Sequence, residues 1–385
     1  MDLDYTHAEL DFREEVRTWL AANTPRDTRP PGGQELRAWE CAWQRRQFDA
    51  GWAGVSWPRE YGGRGLSLIE LMIWYEEYAR AGAPPATMMF VGLNHGGPTL
   101  IARADEQQKA YHLPRILRGD VVWCQGFSEP GAGSDLASLR TRAVIDGDEL
   151  VVTGQKIWTS NADVAEWQEL LVRTDPDAPR HKGITWVICD MRAPGIEVRP
   201  IETLSGGAHF CEVFYDEVRI PLPNVVGRIN DGWSVAMSTL SFERGTAFLA
   251  SQVELARTVE DLIDVARERT GPDGRRPAIA DDEIAHRLAT ARAEVAALRA
   301  MTYAAVSRAA RADQPGPEAS LLRVFYSELY QRVAALALDV VGAEILDASN
   351  TWVSGYLGSF QATIAAGTKD IQRNIIGERV LGLPR

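Results

Sequence analysis

The segment Phe127-Ser128-Glu129-Pro130-Gly131-Ala132-Gly133-Ser134-Asp135 gathers hydroxyls, carboxylates and two glycines into nine residues. A polar Gly/Ser turn of this kind can offer backbone N–H groups and hydroxyls to a phosphate or to a flavin. Two familiar phosphate cradles are excluded by spacing. Leu136 stands where G-x-G-x-x-G needs its last glycine, and no P-loop lysine follows. Taken by itself, such a cluster is better explained as a surface turn. Metal chemistry finds no support. His7, His95, His112, His181, His209 and His286 lack ligand spacing, and Cys41, Cys124, Cys189 and Cys211 form no C-x-x-C pair. The histidines therefore read as surface or structural residues, and the scattered thiols fit a reducing, cytoplasmic setting.

Composition narrows the partners. A formal charge of −12 repels phosphate backbones and anionic bilayers, which argues against nucleic acid and membrane surfaces. The N-terminus is acidic where a signal peptide would be basic, and no apolar run approaches the roughly 20 residues of a membrane span. At roughly 150 residues per domain, 385 residues make two to three domains.

The elements that must position any site follow from periodicity. Thr6-His7-Ala8-Glu9 has capping-box spacing, and Phe12, Val16, Trp19 and Leu20 recur at helical intervals behind it. Helical periods return over 68–79 and 106–117, so residues 1–120 read as a helical domain. From Val121 the texture changes. Strand-like runs flank Asp146-Gly147, a hairpin signal, and continue at 184–188 and 210–220, which predicts an antiparallel barrel or sandwich over 121–228. Long apolar-periodic stretches then fill 229–385, broken at Gly271-Pro272-Asp273-Gly274 and Gln314-Pro315-Gly316-Pro317, as expected of a helical bundle.

Several separated motifs, in order, resemble the acyl-CoA dehydrogenase family from end to end. They are Gly51-Trp52 through Trp57-Pro58 with Tyr61-Gly62-Gly63-Arg64-Gly65; Asp105-Glu106-Gln107 through Leu113-Pro114; Ser128 to Asp135; Gly154-Gln155-Lys156-Ile157-Trp158-Thr159-Ser160-Asn161; and Gly367-Thr368 followed by Ile371-Gln372-Arg373. The resemblance implies an α+β multidomain fold: N-terminal helical domain, middle β-barrel and C-terminal four-helix bundle. It also implies an FAD whose ring lies between barrel and bundle. On that pattern Ser128 hydrogen-bonds the pyrimidine side of the ring, Ser160 faces N5 and Trp158 packs beside it. Gln125, Phe127, Gly133, Thr159, Thr368 and Asp370 complete the cofactor set. Ser134, Ser241, Arg244, Ala366 and Gly367 would meet the acyl-CoA.

The implied reaction removes a proton α to a thioester and passes the β-hydride to flavin, giving a trans-2-enoyl thioester. It needs a shielded carboxylate base. Many members carry that Glu just before the C-terminal Gly-Thr pair, where this chain has Ala366. Another subgroup, including isovaleryl- and long-chain-type members, places it on the first helix of the bundle, directly before Arg. Ser241-Phe242-Glu243-Arg244 matches that pattern, so Glu243 is expected as the base, with Arg244 shaping the site. The backbone N–H of Ala366 would stabilise the enolate-like oxygen.

Two segments depart from the homotetrameric pattern. The Arg-x-x-Phe-Gly segment that grips a neighbour's adenylate reads Arg267 to Gly274 without the Phe, and the Gln-x-x-Gly-Gly segment reads Asp339-Val340-Val341-Gly342-Ala343. Asp339 would bring negative charge towards a pyrophosphate. Resembling actinobacterial dehydrogenases that act on steroid side chains form α2β2 assemblies, so a paralogous partner subunit is expected here. An electron-transfer flavoprotein is the expected acceptor. Two other readings compete: a non-catalytic scaffold subunit, which would have no reason to keep Glu243, and a flavin monooxygenase or nitroalkane oxidase, whose relatives lack a Glu base. The acyl group, and CoA against an acyl-carrier protein, are open at this level.

Overall fold

The computed structural model describes residues 5–243, 247–312, 319–347 and 349–384. Five helices come first: α1 (His7–Asn23), α2 (Gly33–Asp49), α3 (Leu68–Arg80), α4 (Gly97–Arg103) and α5 (Glu106–Arg118). Three of them begin at capping boxes, Thr6 with Glu9, Ser67 with Glu70 and Asp105 with Gln108, which satisfy N–H groups that a helix start leaves open. Gln108 does more, since its Nε2 donates to the carbonyls of Pro223 and Val225 and so ties α5 to the chain beyond the sheet. A single π-helical turn, Gly92–Gly96, leads directly into α4.

The middle of the chain is one curled seven-stranded sheet: β1 (Trp123–Gly126), β2 (Arg142–Asp146), β3 (Glu149–Ser160), β4 (Trp167–Arg173), β5 (Ile184–Asp190), β6 (Ile196–Ile201) and β7 (Phe210–Pro221). The hairpin predicted near Asp146-Gly147 is present, with Asp146 opposite Glu149, one residue later than the strand runs suggest. The spacing predicts a purely antiparallel sheet, and the pairing corrects this to a mixed one. β1 runs parallel to β4, and β2 meets the far end of β4 in parallel. β4 and β5 are buried on both faces. Leu170, Val172, Val187 and Cys189 face the interior of the sheet, while Leu171, Trp186 and Ile188 pack on Trp57, Leu100, Ile116 and Val235 of the helical layer. This explains why β5 reads as a nearly continuous apolar run, whereas β4 buries Gln168 and Glu169 among its apolar residues.

After the sheet, α6 (Gly232–Glu243) starts against β5. A Cβ on Gly232 would lie 2.4 Å from the backbone N of Trp186, so only glycine lets the helix approach that closely. α7 (Ala247–Glu268), α8 (Asp282–Ala312) and α9 (Ala319–Val341) pack together through Leu255, Val259 and Leu262, Ile284, Leu288 and Leu298, and Leu329, Val333 and Leu336. With Ala291 and Val295 between Leu288 and Leu298, these residues recur every three or four positions, one apolar stripe per helix. The short α10 (Thr351–Ser359) and α11 (Lys369–Ile375) lie on α9.

The bundle is fastened to the first helices by charge. Glu76 on α3, buried, accepts from Arg13 of α1 (2.6 Å), and from Arg299 (2.7 Å) and Tyr303 (2.5 Å) of α8. Its neighbour Glu77 accepts from Arg17 (3.1 Å) and Arg80 (2.6 Å).

Candidate functional site

The polar loop after β1 is held from beneath. Glu129 turns inward and accepts from the backbone N–H groups of Arg140 (2.6 Å) and Thr141 (2.8 Å) and from the Nζ of Lys156 (2.8 Å). Lys156 is wholly buried and also donates to the carbonyl of Phe127 (3.1 Å). Burial pulls the lysine pKa down to about 8 against the opposing pull of Glu129. Burial alone would raise Glu129, but the ammonium and the three hydrogen bonds hold it below its usual value. With its carboxylate used inside, the loop presents Gly131, Gly133 and Ser134 outward. Nothing stands within 4 Å of a Cβ added at either glycine. Asp135 closes the loop through an ion pair with Arg180.

Lys156 sits on β3 within the Gly154–Asn161 motif, two residues before Trp158. The ladder between β3 and β7 slips between Lys156 and Thr159, a β-bulge. Inside the bulge Trp158 has φ +61°, a rare conformation for a bulky side chain, and its ring is 56% exposed, edge-on to Phe210 at 6.0 Å. Thr159 turns into the sheet and is fully buried, while Ser160 is half-buried at the strand end. The N–H of Ile157 donates to the carbonyl of Ser128 (2.9 Å), so the loop and the bulge are neighbours. The result is an outward indole two residues before Ser160 in the chain, with the open glycine loop tied to the same bulge through Ser128. A planar heterocycle bearing a phosphate tail fits that donor set.

Gln125 and Phe127 lie on the helix-facing side of β1, with Trp123. Gln125 is paired in register with Glu169 of β4 and donates to its Oε1 (2.7 Å); its Nε2 also lies 3.2 Å from the Nδ1 of His95, on the π-helical turn. Glu169 and His95 are both buried. This is a polar island in a seam otherwise made of Trp, Leu and Ile.

The expected base lies at the end of α6. The helix backbone runs through Glu243, whose side chain lies outside the described residues, as does Arg244 altogether. Ser241, exposed, donates to the carbonyl of Ser238 (2.7 Å). α6 is keyed to α4 by the buried hydroxyl pair Thr99 and Thr239 (2.9 Å) and by Arg103 donating to Ser238 (2.9 Å).

The C-terminal loop has its own clamps. Arg323 of α9 donates to the carbonyl of Ala365 (2.8 Å) and Gln372 of α11 to that of Ala366 (3.2 Å). Ala366 is left-handed at φ +52°, Gly367 follows at +85°, and Thr368 caps α11, accepting from the N–H of Ile371. Asp370 is exposed in the first turn of α11. Asp339 of α9 is paired with Arg287 of α8 (2.7 Å), which offsets its charge.

Periodicity and motif reading did not single out Glu129, Glu169 or His95 as site residues. The first is spelled in the loop motif, but its inward turn is visible only in three dimensions. The other two meet across long sequence separations. No group of metal-binding side chains occurs among the described residues.

Three family models match the chain: the acyl-CoA dehydrogenase N-terminal domain over residues 6–120, middle domain over 124–218 and C-terminal domain over 230–381. Acyl-CoA dehydrogenase IpdE1 of Mycobacterium tuberculosis is 41% identical over 387 residues, covering 97% of this chain and 98% of that one. Among solved structures, the Tcur3481-Tcur3483 steroid ACAD matches with a TM-score of 0.87 at 32% identity, covering 100% of both chains. The ChsE4-ChsE5 complex from Mycobacterium tuberculosis matches with a TM-score of 0.85, also at 32% identity and covering 100% of both chains.

Proposed function

The chain belongs to the acyl-CoA dehydrogenase family and is an acyl-CoA dehydrogenase, and from that premise we propose that it oxidises a ring-bearing acyl-CoA, with FAD bound, in a complex with a paralogous subunit. The observation that carries the cofactor reading is Trp158, forced outward by its bulge between the Ser128 loop and Ser160. Trp158 would stack beside the flavin ring, with Ser128, Ser160 and Thr368 supplying hydroxyls. Thr159, being buried, would contribute backbone only. The flavin, when bound, accepts the hydride removed from the β-carbon.

The rest of the chemistry belongs to the chain. Glu243 takes the α-proton. Charge develops on the thioester oxygen, and the N–H of Ala366 is the donor offered to it from a loop whose shape Arg323 and Gln372 maintain. Ser134 and Gly133 lie on the exposed rim that the phosphopantetheine arm would cross. The monooxygenase and scaffold readings have no use for a carboxylate at position 243.

Two observations support a partner. Leu346 (88% exposed), Ile364, Leu381 and Leu383 expose apolar side chains in the C-terminal region that a partner would cover. The neighbours named above are a steroid enzyme of two gene products and a two-component complex. An electron-transfer flavoprotein is the proposed acceptor. On that basis we divide the chain as 1–120, 121–228 and 229–385, with the flavin at the junction of the last two.

The test is to express the chain alone and with a neighbouring dehydrogenase gene, and to measure the flavin-to-chain ratio, the native mass and flavin bleaching by straight-chain and ring-bearing acyl-CoAs. We expect a flavin-poor chain alone, a two-plus-two complex on co-expression and fastest bleaching with a ring-bearing thioester. A homotetramer of this chain alone carrying four FADs would overturn the partner, and a flavin that no acyl-CoA bleaches would overturn the activity.

A further inference from the structure

The island formed by His95, Gln125 and Glu169 calls for an explanation, because it places a carboxylate with 0% exposure in an apolar seam between sheet and helices. Burying a charge there costs several kcal/mol unless neighbours compensate it. Nothing in the packing of β1 on β4 requires polar residues at those positions. The strand neighbours on the same face are Trp123, Phe127, Trp167 and Leu171, all in apolar contact.

The helix register shows what the island faces. Thr99 of α4 meets Thr239 of α6, and Arg103, one turn further along α4, reaches Ser238, one residue back along α6. Helices that meet this way run in opposite senses. One turn before Thr99 is His95, and one turn after Thr239 is Glu243. α6 packs on the π-helical turn as well as on α4, so the two positions share one end of the contact. The turn is held rigidly. A Cβ on Gly97 would come within 2.0 Å of the Trp57 ring, and the ring of Phe90 stands edge-on to His95 at 5.1 Å. π-Turns inside helices recur at functional sites.

The contacts of Nδ1 bear on the tautomer. The amide nitrogen of Gln125 carries two protons, one directed to Glu169 Oε1 (2.7 Å) and one towards His95 Nδ1 (3.2 Å). Nδ1 also stands 3.5 Å from the same Glu169 Oε1; with the Gln125 amide as its donor, the ring proton is assigned to Nε2. A neutral imidazole with its proton on Nε2 is a donor suited to a carboxylate.

We propose that His95, fixed by Gln125 and Glu169, is a positioning residue for Glu243, with Nε2 as the donor that would orient the base. This rests on the reading of Glu243 as the base. Gln125 thereby acts through His95.

The test is a double-mutant cycle on the flavin-loaded protein, in the assembly it forms, pairing His95→Leu with Glu243→Gln and reading thermal unfolding, which needs no substrate. Coupled residues should give melting shifts that fail to add by about 2 °C or more. In parallel, His95→Leu should slow bleaching at saturating acyl-CoA ten- to a hundredfold with little change in KM and full flavin content. His95→Asn, which keeps a donor, should recover part of that loss, and Gln125→Leu should reproduce it. Additive melts together with an unchanged kcat for His95→Leu, in an enzyme that bleaches normally, would overturn the positioning role while leaving the dehydrogenase intact. Failure of the underlying reading has a different signature: a wild-type flavin that stays oxidised with every acyl-CoA.

Discussion

Lys156 and Glu129 join the two stretches of sequence from which the flavin-facing wall is proposed. One salt bridge ties the loop bearing Ser128 to the strand bearing Trp158 and Ser160. Replacing Lys156 by Met leaves a buried carboxylate with only neutral donors and should cost about 3 kcal/mol in denaturant unfolding. Flavin should be lost in the same variant, and the double variant Lys156→Met/Glu129→Gln should recover part of the stability. The pH dependence has a fixed sign. Glu129 is depressed below its ordinary value of 4.5, so as pH falls below about 4.5 the unfolded chain takes up the proton first and stability declines towards the folded value. Melts of Glu129→Gln should show a shallower acid limb than the wild type. The two motifs containing these residues were legible in the sequence through the family resemblance. Their partnership was not, because 27 positions separate them and nothing local reports which way Glu129 turns.

At the scale of elements, the turn at Gly92–Gly96 with α4 behind it sets where His95 stands. Gly97→Ala would drive a methyl into Trp57 and towards the carbonyl of Gly92, and should destabilise the protein by about 2 kcal/mol, with loss of turnover exceeding loss of fold. Circular dichroism melts beside single-turnover bleaching would check both halves. Helices α1, α3 and α5 were legible because capping residues and apolar periods coincide in them. α2 left no such trace, since Glu40, Gln44 and Gln47 share its buried face with Leu36 and Trp43. The parallel pairing of β1 with β4 was illegible for another reason. Strand pairing is decided by partners 44 residues away, and a run such as Trp123–Gly126 has the same pattern in either sense.

For the whole molecule, the decisive junctions are those between layers. Glu76 gathers donors from α1 and α8, so Glu76→Ala removes three bonds that join the bundle to the N-terminal helices. Arg299 is partly exposed and can return to water, which limits the expected loss to about 2 kcal/mol. Hydrogen exchange should show the loosening concentrated where α3 meets α7 and α8. Helices, sheet and bundle in that order were legible from periodicity, whereas the seam where α6 meets the sheet, with its buried polar island, emerges only from packing. The account stands on a flavin-dependent dehydrogenation driven by Glu243. The measurement that tests it most directly is anaerobic mixing of the flavin-loaded complex with an acyl-CoA, comparing wild type with Glu243→Gln. We predict that the wild type bleaches its flavin and yields the trans-2-enoyl thioester, while Glu243→Gln keeps its flavin bound and oxidised. Bleaching by Glu243→Gln at the wild-type rate would contradict the account.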